Sequence, residues 1–214
     1  VTLAYKARRA FGDKAEDGFK EWVHKQAGWH VEPYGQGLMT EKTRGMMRET
    51  PFNGDSAILE QMLLDLEAEE RKVYFDRLSF VPNLTRWMPD FVIAYRNSII
   101  CAPDAKASMR PSMNWAIEMS SVLGSKLHSK TGVQCVYAFP PTPGVIDYWS
   151  CASPDMIRER RIRVLDGRNT NGGSGTPFYL VPKLALDLPF KHVMTGIELN
   201  GEFRINSQHG SVLL

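Results

Sequence analysis

Cysteine is scarce in this chain: three in 214 residues, Cys101, Cys135 and Cys151, with no CxxC pair among them. An odd, widely spaced set builds neither a disulfide framework nor a zinc site, and it fits a reducing intracellular compartment, the cytoplasm. Cys101 then reads as a small apolar residue in a strand. Apolar runs of membrane-spanning length and a signal-peptide pattern are both missing, so no membrane partner is expected. The formal charge of +2 is too small to demand a polyanionic partner, which makes its distribution matter more than its sum. His30 has no second histidine at ligand spacing and reads as structural or exposed. The glycine-rich stretch 167–177, GRNTNGGSGTP, lacks the Lys-Ser/Thr ending of a phosphate-binding loop and reads as a connection.

What is present is organised around residues 87–108, WMPDFVIAYRNSIICAPDAKAS. Two apolar runs bounded by turn residues read as buried strands, with Arg96-Asn97-Ser98 as the turn between them. Asp104 and Lys106 alternate with Ala105 along the second strand, so they share a face. A three-residue turn pairs Tyr95 with Ile99 and sets Asp90 opposite Asp104, whereas a two-residue turn sets Asp90 opposite Ala105. Pro103 marks a bulge, which shifts the register by one. Turn and bulge together are expected to bring Asp90 and Asp104 to one metal ion. Two carboxylates and a lysine at a sheet rim suit phosphodiester hydrolysis, with Mg²⁺ held by oxygen ligands and Lys106 acting on the attacking water or the phosphate. A surface ion pair is the plain alternative.

Pro89-Asp90 followed fourteen residues later by Asp104-x-Lys106 resembles the PD-(D/E)xK nuclease superfamily, the restriction-endonuclease-like fold. The match covers residues 11–140. The resemblance implies an α/β fold with an αβββαβ core, a mixed central sheet flanked by helices, and an acid on the first helix that joins the motif acids at the metal. It also implies cleavage that leaves a 5′-phosphate. The cysteine count does not support the iron-sulfur branch of that family.

An amphipathic helix is expected over 10–28, with Phe11, Ala15, Phe19, Trp22 and Val23 on its apolar stripe and Gly28 closing it. Of its acids, Glu16 lies about 70° from the stripe centre, Glu21 about 150° and Asp17 farther, at about 100° per residue. Glu16 is the helix acid on that count and Glu21 the reserve, and Gly12 precedes Glu16 by four residues, as often in the family. WHVEPY, 29–34, is the expected first strand. Residues 35–54 form a long connection in which Lys42, Arg44 and Arg48 are candidates for phosphate contact. A second helix is expected over 55–72, with Ile58, Leu59, Met62, Leu63 and Leu66 inward and Glu60, Asp65, Glu67, Glu69 and Glu70 on an outer face turned to solvent or to a protein partner. Val73–Phe80 reads as a strand leading to the hairpin.

Beyond the hairpin a helix is expected from Pro111 or Ser112 to Lys130, with Lys126 and His128 as solvated surface. Strands are expected over 133–139, 145–152 and 178–182. Residues 156–168 hold Arg158, Arg160, Arg161, Arg163 and Arg168, the most basic stretch, read as a DNA-backbone surface or as an exposed face with paired acids.

Together these give one domain over 1–214, with a core of about 11–34 and 73–152, a helical insertion of about 35–72 before the catalytic hairpin, and a C-terminal extension of about 153–214. The expected function is a Mg²⁺-dependent DNA nuclease, with Mn²⁺ able to substitute. Asp90, Asp104 and the Ala105 carbonyl are the metal ligands, Lys106 the catalytic cation, and Glu16 an assistant through a second metal or a water. A homodimer, or a protein partner on the acidic helix, is the expected assembly. The rival from another class is a non-cleaving DNA-binding or assembly protein that retains the fold, against which stands the intact acid and lysine set.

Overall fold

The computed structural model describes residues 3–38, 40, 61, 63–77, 87–95, 98–107, 112–131, 133–167, 176–195, 204–207 and 210–213. The chain is mixed α/β, with a mixed central sheet flanked by helices. It opens with helix α1 (Leu3–His24), which starts earlier and ends earlier than the apolar spacing suggested. Phe19 and Val23 are fully buried, but Phe11 is exposed and takes no part in the core. Gly28 sits beyond the helix, at φ 79°, where the chain turns into β1 (Trp29–Pro33). That left-handed backbone suits glycine because no Cβ meets the carbonyls.

Strand β1 pairs antiparallel with β2 (Phe91–Tyr95), which pairs antiparallel with β3 (Ser98–Ala105). The following stretch, expected to be helical from residue 111 or 112, instead forms β4 (Asn114–Glu118) before helix α3 (Met119–Thr131) begins. Trp115 and Ile117 point inward and Ala116 outward, which is the period of a strand, not of a helix. Helix α3 is buried at every position from Met119 to Leu127, so it has no solvent stripe over that stretch to mark its start. It carries the chain to β5 (Cys135–Phe139), which lies parallel to β3. Then come β6 (Ser150–Ala152), helix α4 (Pro154–Glu159), β7 (Arg163–Leu165), β8 (Phe178–Pro182), β9 (Leu188–Pro189) and helix α5 (Phe190–Thr195). The strand expected over 145–152 is shorter, because Thr142 and Ile146 close a separate turn around Gly144.

The central sheet has the order β1-β2-β3-β5-β6-β9, and β4-β8-β7 form a second, antiparallel sheet. The C-terminal third is therefore no appendage. Phe190, Val193, Tyr179, Val181 and Leu186 are fully buried in the shared core, and β8 is followed by β9 and by a hairpin of Arg204–Ser207 with Gly210–Leu213. Helix α1 covers the sheet face that carries Phe91, with Phe19 and Phe91 rings 6.1 Å apart. Helix α3 covers the other face through Ser121, which reaches Asp104. Among the described residues no helix is long and apolar enough to cross a membrane.

The acidic stretch differs most from expectation. Its first part, 55–60, lies outside the described residues. Residues 65–67 break the helix, and a separate helix α2 (Ala68–Arg77) runs through Val73, where a strand was expected. Glu70 does not face solvent: it is 1% exposed and accepts Nη2 of Arg158 at 2.8 Å, Nε of Arg158 at 2.9 Å, the Tyr179 hydroxyl and the Glu67 amide. Arg158 also meets Asp155, which holds Lys126 at 2.6 Å, and Arg161 meets Glu67. Burial alone raises the Glu70 pKa, but Arg158, Tyr179 and the Glu67 amide outweigh it and hold the pKa below the usual glutamate value. A lowered carboxylate pKa contributes stability that is full above the unfolded pKa and lost as pH falls through the folded one. Arg158→Met, which strands the Glu70 charge, is expected to cost about 3–5 kcal/mol in urea titrations at neutral pH, the penalty for breaking a buried pair from one side. That deficit should shrink as the pH is lowered and Glu70 protonates in both proteins.

Candidate active site

The register of the β2–β3 hairpin decides where its acids go. Tyr95 pairs with Ser98 and Ala94 with Ile99, so only residues 96 and 97 lie between the strands, one fewer than the expected turn. The next pair is Ile93 with Cys101, which leaves Ile100 as an extra residue on β3. The bulge lies there and not at Pro103. The link of residues 96 and 97 alone would set Asp90 against Pro103, and the extra residue on β3 moves the register on by one, so that Asp90 comes opposite Asp104. The Asp90 carboxylate accepts the Ala105 amide at 3.1 Å and is hydrogen-bonded to the Asp104 side chain. Ahead of it, Trp87 packs its Cβ over Gly124 of α3, where an added Cβ would lie 2.8 Å away, so a glycine there lets the loop before Asp90 sit down on the helix.

Two carboxylates in contact share a proton readily, because both cannot keep a negative charge at close range in a partly dry site. Burial first, and then the charge of Asp104, push the Asp90 pKa well above the usual carboxylate range. Lys106 answers that charge, its Nζ 2.7 Å from Asp104 Oδ2 and 5.3 Å from the centre of the Tyr137 ring. Burial works against the Lys106 charge, but Asp104 and Asp90 outweigh it and raise its pKa above the usual lysine value. Lys106 is therefore an ammonium at neutral pH: it donates hydrogen bonds and charge and does not act as a base.

Glu16 is half-buried on α1, whereas Asp17 and Glu21 are exposed. Burial, then Asp13, raise the Glu16 pKa, with Asp104 adding to the rise, so Glu16 lies within electrostatic reach of the pair. Among the described residues no three His, Cys, Asp or Glu side chains stand at metal-binding spacing. The donor set at hand is thus two carboxylates in contact. That suits Mg²⁺, which commonly takes one or two protein carboxylates and fills its remaining positions with water and phosphate oxygens. The N–H and C=O of one extended residue leave on the same edge of a strand, so the Ala105 carbonyl faces the side on which its amide meets Asp90.

The basic stretch is largely spent within the fold. Arg158 and Arg161 bind Glu70, Asp155 and Glu67, and Arg160 donates to the Ala185 carbonyl. Arg163 is exposed on β7. Lys42, Arg44, Arg48 and Arg168 lie outside the described residues. Lys126 is buried in its ion pair with Asp155 and not solvated, His30 is exposed, and the three cysteines are buried free thiols. A cavity of about 520 Å³ lies elsewhere, lined by α2 together with Val164, Asp166, Thr176 and Pro177, and contains none of Glu16, Asp90, Asp104 or Lys106.

Three side chains at the site had no reading as site residues in the sequence. Tyr137 stands beside Asp104 in the parallel β3–β5 ladder, and Ser121 and Ser125 of α3 bind its hydroxyl at 2.8 and 3.0 Å. A tyrosine inside an apolar run with serines four apart on the preceding helix was the available signal, since a buried phenol needs partners. Comparison with protein-family models, with curated proteins and with solved structures returns no match.

The raised Asp90 pKa has a sign that can be measured. Asp90 binds its proton more tightly folded than unfolded, so its contribution is full below the unfolded pKa and lost as pH rises through the folded one. In metal-free protein the thermal midpoint is expected to fall over that interval, and Asp90→Asn is expected to flatten the fall and raise the midpoint at neutral pH. A midpoint that climbs with pH in wild type, or an Asp90→Asn variant with the same slope, contradicts the assignment.

Proposed function

We propose that this chain is a metal-dependent DNA nuclease with a PD-(D/E)xK site on a restriction-endonuclease-like core. The observation that carries the proposal is the meeting of Asp90 and Asp104, with Lys106 at 2.7 Å from Asp104, at one end of the β2–β3 hairpin. The order of elements supports it as well. A first helix, three antiparallel strands, a helix and a strand parallel to the third follow one another, interrupted by β4 and by residues 35–86.

Asp90 and Asp104 would hold the divalent ion, Mg²⁺ or Mn²⁺, with the Ala105 carbonyl as a further oxygen. When bound, the ion would supply positive charge against the scissile phosphate and offset the repulsion between the two carboxylates. Lys106, held as an ammonium by Asp104, donates to a phosphate oxygen or to the attacking water and fixes its direction. Glu16 stands at the rim as a second acceptor, able to orient a water from α1. DNA as substrate follows from the family resemblance, and backbone contacts would come from Arg163 and from Lys42 and Arg44 of the connection, since Arg158 and Arg161 are engaged internally.

Linear, nicked, branched and single-stranded DNA incubated with Mg²⁺, Mn²⁺ or EDTA test the proposal. Cleavage is expected with either metal and none with EDTA. Lys106→Ala is expected to slow it by about a hundred- to a thousandfold, the usual cost of one preorganised donor. Asp104→Ala should lose at least as much. Cleavage that survives both substitutions would reject the site, and DNA bound but never cut by wild type would favour a non-cleaving binding protein.

A further inference from the structure

Asp104 is held from behind by a chain of hydroxyls that none of the chemistry above uses. Its Oδ2 meets Lys106 Nζ at 2.7 Å and Ser121 Oγ at 3.4 Å. Ser121 Oγ lies 2.8 Å from the Tyr137 hydroxyl, which lies 3.0 Å from Ser125 Oγ. All three hydroxyl residues are buried: Ser121 is 3% exposed, and Tyr137 and Ser125 are 0% exposed. The proton directions follow from counting. A carboxylate only accepts, so Ser121 spends its one proton on Asp104. Tyr137 must then donate to Ser121, and Ser125 to Tyr137. The chain thus points from Ser125 through Tyr137 and Ser121 to Asp104, every dipole favouring negative charge at its end, and such chains strengthen one another in a dry interior.

The backbone places the links without adjustment. Asp104 and Tyr137 are partners in the parallel ladder, so their side chains leave the same face of the sheet. Ser121 and Ser125 are four apart on α3 and so lie on one side of the helix. Resting on the site assignment made above, we infer that Ser121 and Tyr137 are positioning residues for Asp104, which they hold rotated so that Oδ2 faces Lys106 and the helix. Its second oxygen is thereby turned from those donors and is presented to the cation and to Asp90. Supporting groups of this kind commonly change metal affinity or activity by about 10–100-fold when removed.

The test uses the full chain with Mn²⁺ as probe, titrated calorimetrically, alongside cleavage rates and the thermal midpoint without metal. Tyr137→Phe and Ser121→Ala are each expected to weaken Mn²⁺ binding and to slow cleavage by about tenfold or more, and Ser125→Ala, one link farther, by less. Ser121→Thr, which keeps a hydroxyl, should recover most of the loss. Ser121→Ala and Ser121→Thr guard against the case in which Tyr137→Phe does not fold. Variants with lower thermal midpoints but unchanged Mn²⁺ affinity would make the hydroxyls structural only and overturn the inference, leaving the nuclease site standing. Wild type that neither binds Mn²⁺ nor cleaves DNA would remove the site assignment and the inference together.

Discussion

One extra residue on one strand governs how Asp90, Asp104 and Lys106 meet at the proposed site. Side chains alternate across a sheet, so a slip of one position exchanges the faces of a whole strand. Here two departures from an ideal hairpin compensate: the link between β2 and β3 is one residue shorter than the turn chemistry suggested, and Ile100 is one residue more than the ladder needs. Either alone would turn Asp90 away from Asp104. The second constraint is the parallel pairing of β3 with β5, which sets Tyr137 beside the same aspartate. Two independent registers therefore meet at Asp104, one bringing an acid and the other a phenol.

The fold contains two clusters of ionised groups with opposite character. Around Glu70, each acid has a base: Arg158 bridges Glu70 and Asp155, Asp155 takes Lys126, and Tyr179 adds its hydroxyl. The result is a lowered Glu70 pKa, the sign of a carboxylate content to be charged. Around Asp104 the balance is reversed, since Asp90 and Glu16 both have raised pKa values while Lys106 stands against the acids. A structural ion pair has no reason to be left short of positive charge. A site that takes up a cation does, and strongly perturbed carboxylates are what such sites show.

Much of this was legible in the sequence where pattern and chemistry coincide. The alternation of Asp104 and Lys106, the strand at 29–33 and the edge position of Glu16 on its helix need only the two basic periods. Turn and bulge had to be weighed together for Asp90, and sequence alone placed the bulge at Pro103 where the structure places it at Ile100. The failures have a common cause. Residues 114–118 alternate over too short a span to be separated from the helix that follows, and α3 is buried over most of its length, which erases the stripe that would mark it. Glu70, Arg158 and Arg161 looked solvent-facing because their partners lie some ninety positions away in the chain, and pairing at that separation leaves no local periodicity.

The direction of the strands adds a last consideration. Asp104, Ala105 and Lys106 stand at the carboxyl end of β3, beside the carboxyl end of its parallel neighbour β5, while Asp90 reaches the same edge because β2 runs the other way. Ligand sites of open α/β sheets gather at that edge, where strands stop pairing and their backbone groups become available. Lys106 shows the transition within one residue: its amide still donates to the Ala138 carbonyl at 2.9 Å, while its side chain has already left the sheet for Asp104. The Ala105 amide, by contrast, has turned from strand pairing to a carboxylate. The sheet thus hands its final hydrogen bonds from backbone to acid at the point where a bound ion and a phosphate would need rigid oxygen ligands, and the scaffold that fixes those ligands is the ladder itself.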